Sequence, residues 1–439
     1  MISLKQLATF NPQFHSGHIL SSEGLMLTAS LPGAFVGELC KISSQIPAQP
    51  DVLAQVVAID EHKTKLIPFH AVSGIRFGDK VTGCGEDICL PTGADLLGHV
   101  VDAFGTPLET RQAPKLNKKT TALSEHINPL SRAPIKEQLN TRVKALDSFI
   151  PVGKGQRMGI LAGSGVGKST LLSMLSDSCV RQDSVIVIVL VGERGREVEE
   201  FVNQRLSREM RSRSVVIAAT AEEMPVTRVL AVKYGLSIAE YFSSEGKDVV
   251  FMVDSLTRVA MAQREIGLAV GEPPTAKGYT PSVFSLLQQI VERCGNFTHR
   301  GAITALFTIL VESDDFDDPI VDALRAVLDG HIVLDRNLAE QGHYPAIDIL
   351  KSVSRLVSNL FTQQQTDIAR TGRSLLDEHK KKKMMIDLAE AEGTLSEQYR
   401  NLQDKHARLN QWLQQSELSP TERQERQSQL EQLLSGGHA

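Results

Sequence analysis

Aromatic residues are scarce in this chain. They make up 5% of it, with a single tryptophan, Trp412. A surface that grips single-stranded nucleic acid sets stacking rings among basic residues. The N-terminal part offers few of either. Positive charge is not in excess, since the formal net charge is −5. No overall field therefore draws the chain to nucleic acid or anionic lipid. There is no apolar run of roughly 18 residues, the length of a membrane span. The five cysteines are odd in number and scattered. That excludes a disulfide framework, and the spacing of Cys84 and Cys89 matches no zinc pattern. Met1 to Phe14 carries one lysine and a broken apolar stretch. This is a poor secretory signal, so the expected compartment is the cytoplasm. Residues 1–16 form an N-terminal segment that reads either as one short amphipathic helix, from Leu4, Leu7 and Phe10 and ended by Pro12, or as a frayed terminus.

What is present centres on Met158–Leu172, which reads MGILAGSGVGKSTLL. An apolar strand leads into Gly163, Ser164, Gly165, Val166 and Gly167, then Lys168, Ser169 and Thr170, then helix formers. Strand, glycine-rich loop and helix are the context of a P-loop. Glycines let backbone N–H groups curl around phosphate oxygens. The helix turns its free N–H groups and positive dipole end toward the anion. Lys168 would reach the β- and γ-phosphates of ATP, and Ser169 would ligate Mg²⁺. Ala162 stands where the strict pattern has its first glycine. It fits if its φ stays negative.

Short runs rich in Val, Ile, Leu and Thr, broken by Gly, Pro and Asp, fill residues 17–91. They predict a small barrel or sandwich. Residues 92–135 read as a linker: Gly93–Pro107 as a helical turn followed by a Gly-Thr-Pro turn, and 110–135, with Pro114, Pro129 and Pro134 among polar residues, as an exposed stretch. Over 136–357, apolar runs at Ser184–Val191, Arg213–Ala219, Asp248–Val253, Gly301–Leu310 and Gly330–Leu334 alternate with helical patterns. The expectation is a doubly wound parallel α/β sheet, with ligands at the carboxyl ends of its strands. In 358–439 strands stop. Leu388, Leu395, Leu402 and Leu409 recur every seven residues, a seam on one long helix packed on its own domain. Ser419-Pro420-Thr421-Glu422 reads as a second helix start. Glu312 to Asp318 reads as a solvated acidic turn, and Lys380–Lys383 as a solvated face.

Glu193 and Arg194 directly follow the run that ends at Val191. A carboxylate there suits activation of the attacking water, and an arginine suits neutralising the phosphoryl group. Asp254 ends DVVFMV, the position of a Walker B carboxylate beside Mg²⁺. Ring ATPases take a positive charge from a neighbour. Arg355, Arg258, Arg264, Arg325 and Arg336 compete for that role on residues alone. Tyr344-Pro345 places an aromatic ring either on adenine or in the core.

AGSGVGKST, VGERGREVEEF, DSLTRVAMAQREIGLAVGEPPTAKGYTPSVFS, LDGHIVLDRNLAEQGHYPAID and SVSR together resemble the export ATPases of flagella and type III secretion systems. These are homologous to the catalytic subunits of rotary ATP synthases. The resemblance spans roughly residues 17–357. It implies an N-terminal β-barrel, a RecA-like core and a C-terminal helical domain, assembled as a homohexamer. It implies that Lys168 and Ser169 bind phosphate and Mg²⁺, with Asp254 at Mg²⁺. Glu193 becomes the catalytic carboxylate, Arg194 meets the γ-phosphate, Tyr344 lies near adenine and Arg355 is the arginine finger of the adjacent site. Implied partners are a regulatory, stator-like protein, a central stalk, export chaperone–substrate complexes and an export gate at the inner membrane, with no nucleic acid. The tail from Thr366 is expected to serve those contacts and not catalysis. A flagellum is favoured over an injectisome. A rotary synthase subunit, a transcription-termination-type translocase and a non-catalytic ring subunit are weaker readings. The translocase would need a basic, aromatic barrel, and the non-catalytic subunit would lack Glu193.

Overall fold

A computed structural model describes residues 15–44, 50–60, 63–109, 114–116, 118–121, 127–180, 182–311, 316–416 and 422–435. The helix expected before Pro12, residues 312–315 of the acidic turn and the cap at Ser419–Thr421 lie outside these residues.

Six strands, β1 (Ser16–Glu23), β2 (Met26–Ser30), β3 (Glu38–Ser43), β4 (Val52–Asp60), β5 (Lys63–Pro68) and β6 (Lys80–Asp87), close into a barrel in the order β1-β2-β5-β4-β3-β6. Side chains alternate in and out along each strand. Ile19, Leu27, Cys40, Ile42, Val56, Leu66 and Val81 fill the interior. Cys40 behaves as a core residue, its thiol pushed up to about 12 mainly by burial.

The central sheet runs β16-β15-β10-β14-β13-β11-β12-β8. Its strands are β8 (Val100–Val101), β10 (Arg157–Ala162), β11 (Val185–Val191), β12 (Ser214–Ala219), β13 (Val249–Asp254), β14 (Ile303–Leu310), β15 (Gly330–Val333) and β16 (Val353–Ser354). All pairings are parallel except β15 with β16. Every residue of β11 is buried, as a strand covered on both faces requires. From β10 the chain crosses to β11, works back to β14 and passes to β15 on the far side of β10. A crevice opens where the order reverses, at the carboxyl end of β10.

Two expectations are corrected. Residues 92–135 are not simply a linker, although the expected helical turn is present at Ala94–Leu96. Val100 and Val101 are buried and extend the central sheet beside β12, while β9 (Lys118–Thr121) pairs with β7 (Cys89–Thr92). Strands this short carry no readable period. The leucine seam does not lie on one helix either. Helix Gln363–Ala391 ends at a turn through Gly393, whose φ is 69°, and helix Glu397–Leu413 folds back against it. Leu388 is exposed, whereas Leu402, Leu409 and Leu413 are buried. Leu409, Leu413 and Leu430 of the last helix, Arg423–Ser435, join the apolar core under the central sheet. The tail is packed on its own chain, as expected.

Candidate active site

The loop after β10 leads into helix Lys168–Val180. Gly165 and Gly167 have φ of 77° and 98°, conformations that favour glycine. Ala162 completes β10 and is buried, with no positive φ. The strand keeps its Cβ clear of the turn, which is why the missing first glycine does no harm.

A cleft of about 1180 Å³ opens above this loop. Gly163, Ser164, Gly165, Gly167, Lys168, Ser169 and Thr170 line its floor. Lys168 Nζ lies 2.6 Å from Asp254 Oδ1 and 3.3 Å from Glu193 Oε1. Asp254 is in register with Leu190 across the β11–β13 ladder, and Glu193 comes three residues after Leu190. Two strand ends therefore bring both carboxylates to the lysine. Thr308 of β14 donates its hydroxyl to Asp254 Oδ1 at 2.7 Å and fixes that carboxylate from the other side. Burial opposes the Lys168 charge, but Asp254 and Glu193 outweigh it and hold the ammonium above its usual range. Burial raises Glu193 above the ordinary carboxylate range, against the lowering pull of Lys168 and Arg258. Ser169 and Asp254 share a small recess beside Glu193. A hydroxyl and a carboxylate are hard oxygen donors of the kind Mg²⁺ takes, so the donor set fits that ion.

The remaining expected residues are placed unevenly. Arg194 lines the cleft mouth, 81% exposed, with Glu197 at 3.8 Å. Tyr344 lines the opposite wall, and a Cβ on Gly167 would sit 3.6 Å from its ring. Val166 is buried beneath the loop. Arg355 is not among the lining residues. It is exposed beyond β16, where Nη2 donates to the Arg325 carbonyl at 2.7 Å. Of its competitors, Arg258 and Arg336 line the cleft, whereas Arg264 and Arg325 do not.

Several lining residues escape a reading of the sequence. Arg196, Arg205 and Thr257 belong to them, as do Gln415 and Ser416 from the tail. Gln415 donates its N–H to the Tyr344 carbonyl at 2.9 Å, and its side chain bonds Lys144 N–H and the Arg142 carbonyl. The tail, expected to serve partner contacts and not catalysis, also lends Gln415 and Ser416 to the lining of the cleft. Nothing local announces this, because a chain that folds back over some 250 residues leaves no period to read. Thr308 carries a signal, as one of two hydroxyls, with Thr304, inside a strand whose other residues are apolar.

Comparison with known proteins agrees with this arrangement. Residues 142–354 match the nucleotide-binding domain of the ATP synthase alpha/beta family, and residues 19–85 match its beta-barrel domain. The flagellum-specific ATP synthase of Bacillus subtilis is 45% identical over 83% of this chain and 83% of its own. That of Salmonella typhimurium is 45% identical over 86% of this chain and 85% of its own. Among solved structures, the assembled ATPase EscN of the enteropathogenic E. coli type III secretion system superimposes with a TM-score of 0.89 at 38% identity, covering 95% of this chain and all of that one. EscN in complex with its central stalk EscO gives 0.85 at 37%, with the same coverage. Barrel, sheet, P-loop cleft and relatives converge, and the chain belongs to the flagellar and type III secretion export ATPases of the ATP synthase alpha/beta family.

Proposed function

We propose that this chain is the ATP-hydrolysing motor of a flagellar-type protein export apparatus, driving release, unfolding and export of secreted substrates. The observation that carries the chemistry is the buried contact of Lys168 with both Glu193 and Asp254 at the foot of the cleft. Both carboxylates face the lysine from the protein side. Phosphate oxygens are stronger partners for it, so ATP draws Lys168 toward the β- and γ-phosphates. Glu193, which burial raises above the ordinary carboxylate range, is the base for the attacking water. The water proton passes to Glu193 as its oxygen bonds the γ-phosphorus, and ADP leaves. Ser169 and Asp254 would hold Mg²⁺, which neutralises phosphate charge when bound. Tyr344 offers a ring to adenine, and Arg194 at the mouth meets the γ-phosphate.

Arg355, exposed and outside its own cleft, serves a neighbouring copy. The chain thus works as a homohexamer, with each site divided between two subunits. A central stalk, a regulatory protein, chaperone–substrate complexes and an export gate at the inner membrane are its partners, and it acts from the cytoplasmic side. Among the described residues no helix is long and apolar enough to cross a membrane. The injectisome is the second reading, favoured by the likeness to EscN. The purified protein should hydrolyse ATP in a Mg²⁺-dependent manner, and Lys168→Ala should bring hydrolysis to background. Full activity in that variant would refute the site. Deleting the gene should strand flagellar axial proteins inside the cell. Loss of needle-type secretion instead would select the injectisome.

A further inference from the structure

Past Glu193 and Arg194 the chain runs through helix Gly195–Glu200 and then widens into a single π-turn, Phe201–Arg205. Such turns insert a residue, redirect the chain beyond them and recur at functional sites. Here the turn ends on Arg205, which lines the nucleotide cleft. Its backbone is fixed to the P-loop helix, because Ser173 donates its hydroxyl to the Arg205 carbonyl at 2.9 Å. From that anchor the guanidinium points back toward the start of the same helix. Nη1 lies 3.4 Å from Thr170 Oγ1 and Nη2 lies 3.7 Å from Glu200 Oε1. Charge-assisted bonds of arginine are shorter, about 2.7–2.9 Å. The Thr170 and Glu200 contacts are longer than that, and the side chain is 33% exposed.

The order of the P-loop sets which phosphate Arg205 would meet. Lys168 serves the β- and γ-phosphates, and loop N–H groups cradle the α- and β-phosphates. Glu193 and Asp254, which contact Lys168, mark the γ-phosphate end. Arg205 instead meets the P-loop helix at Thr170, two residues past Lys168, and lines the same cleft, where loop N–H groups cradle the α-phosphate. We propose that Arg205 is a nucleotide ligand whose guanidinium binds the α-phosphate of ATP and ADP. This rests on the ATPase reading. A planar guanidinium matches phosphate geometry, which the hydroxyl and the distant carboxylate do not.

The α-phosphate does not change charge during γ-phosphoryl transfer. Its ligand is worth the same in ground and transition states, so losing it raises KM with little change in kcat. The experiment measures ADP affinity by calorimetry, ATP hydrolysis at steady state and the melting temperature without nucleotide, on the full chain. Arg205→Met keeps the apolar stem and removes the charge. It should weaken ADP binding and raise KM by about 10–100-fold, the worth of a hydrogen bond to a charged group. Its kcat should stay within about threefold, as expected for uniform binding, and its nucleotide-free melting temperature should match wild type. Arg205→Lys should recover part of the affinity. Unchanged ADP affinity would overturn the proposal. So would a fall in kcat at constant KM, which places Arg205 at the γ-phosphate. A lowered melting temperature in both variants, with affinity lost only in proportion to unfolding, would overturn it as well. Wild-type protein that binds no ADP would instead overturn the ATPase reading.

Discussion

The nucleotide cleft and the C-terminal junction both bury carboxylates against a cation, and they do so in opposite ways. At the junction Asp147 accepts bonds from the Thr141 N–H and hydroxyl, the Arg142 N–H and Arg426 Nη2. The Asp147 and Arg426 side chains are 2% and 1% exposed. The carboxylate is saturated by protein, so the pair acts as a staple between helix Lys144–Phe149 and the last helix. In the cleft one lysine is shared by two carboxylates at the edge of a large opening. That cluster can trade partners with a ligand. The contrast separates buried charge locked between helices from buried charge left within reach of a ligand.

Substitutions should divide along the same line. Glu193→Gln should leave nucleotide binding near wild type and slow turnover by about 10²–10⁴, the usual worth of a general base. A drop in melting temperature with normal turnover would make the cleft cluster another staple. Arg426→Met should do the reverse. Removing one partner of a buried pair costs about 3–5 kcal/mol, because the remaining charge is left uncompensated. Trp412 reports on this directly, since its Nε1 donates to Gln429 of the last helix at 3.2 Å. Its fluorescence should signal undocking at lower denaturant. Replacing both partners, Asp147→Leu with Arg426→Met, should recover much of the loss. A single substitution without effect on the Trp412 transition would remove the staple.

The smallest effect concerns pH. His379 and His406 stack at 3.4 Å between ring centroids where the two helices of the hairpin face each other. Burial, with His379, Lys383 and His343 adding repulsion, lowers His406 to about 4. Asn410 shares a hydrogen bond with its Nε2. The folded hairpin keeps this imidazole neutral, while the unfolded chain protonates near the ordinary 6.5. Its stabilising contribution is therefore complete above about 6.5 and is lost as pH falls toward about 4. Trp412 fluorescence and hydrogen exchange should show the hairpin loosening over that window, and His406→Gln should flatten the change. Equal protection at both ends of the window in wild type would contradict the assignment.

How much of the molecule was legible depends on the distance between the residues concerned. The P-loop, Glu193 and Asp254 could be read because strand, turn and helix lie within a few residues of each. The continuous apolar run of β11 could be read because both its faces are covered. A small β domain was legible from short strand runs and turn residues, which a barrel and a sandwich share, and closure into a barrel was implied only by the resemblance. The pairing of Val100–Val101 with β12 could not be read, since two residues define no period. The heptad leucines misled because Gly393 breaks the helix that would have aligned them. Gln415 in the cleft and Arg426 on Asp147 were invisible for a common reason. Each polar residue in the tail finds its partner only after the last helices dock.

The central claim is that a site is completed by a second copy. Lys168, Glu193 and Asp254 converge within one chain, while Arg355 is exposed elsewhere on it. The direct test mixes Arg355→Ala with Lys168→Ala, each inactive alone, and follows ATP hydrolysis across a dilution series. In an equal random mixture about a quarter of the interfaces pair an intact P-loop with an intact finger, and such a finger is worth about 10³–10⁵ in rate. Activity should reappear on mixing and fall on dilution. A mixture that stays silent, or a wild-type monomer whose specific activity is the same at every concentration, would contradict the shared site.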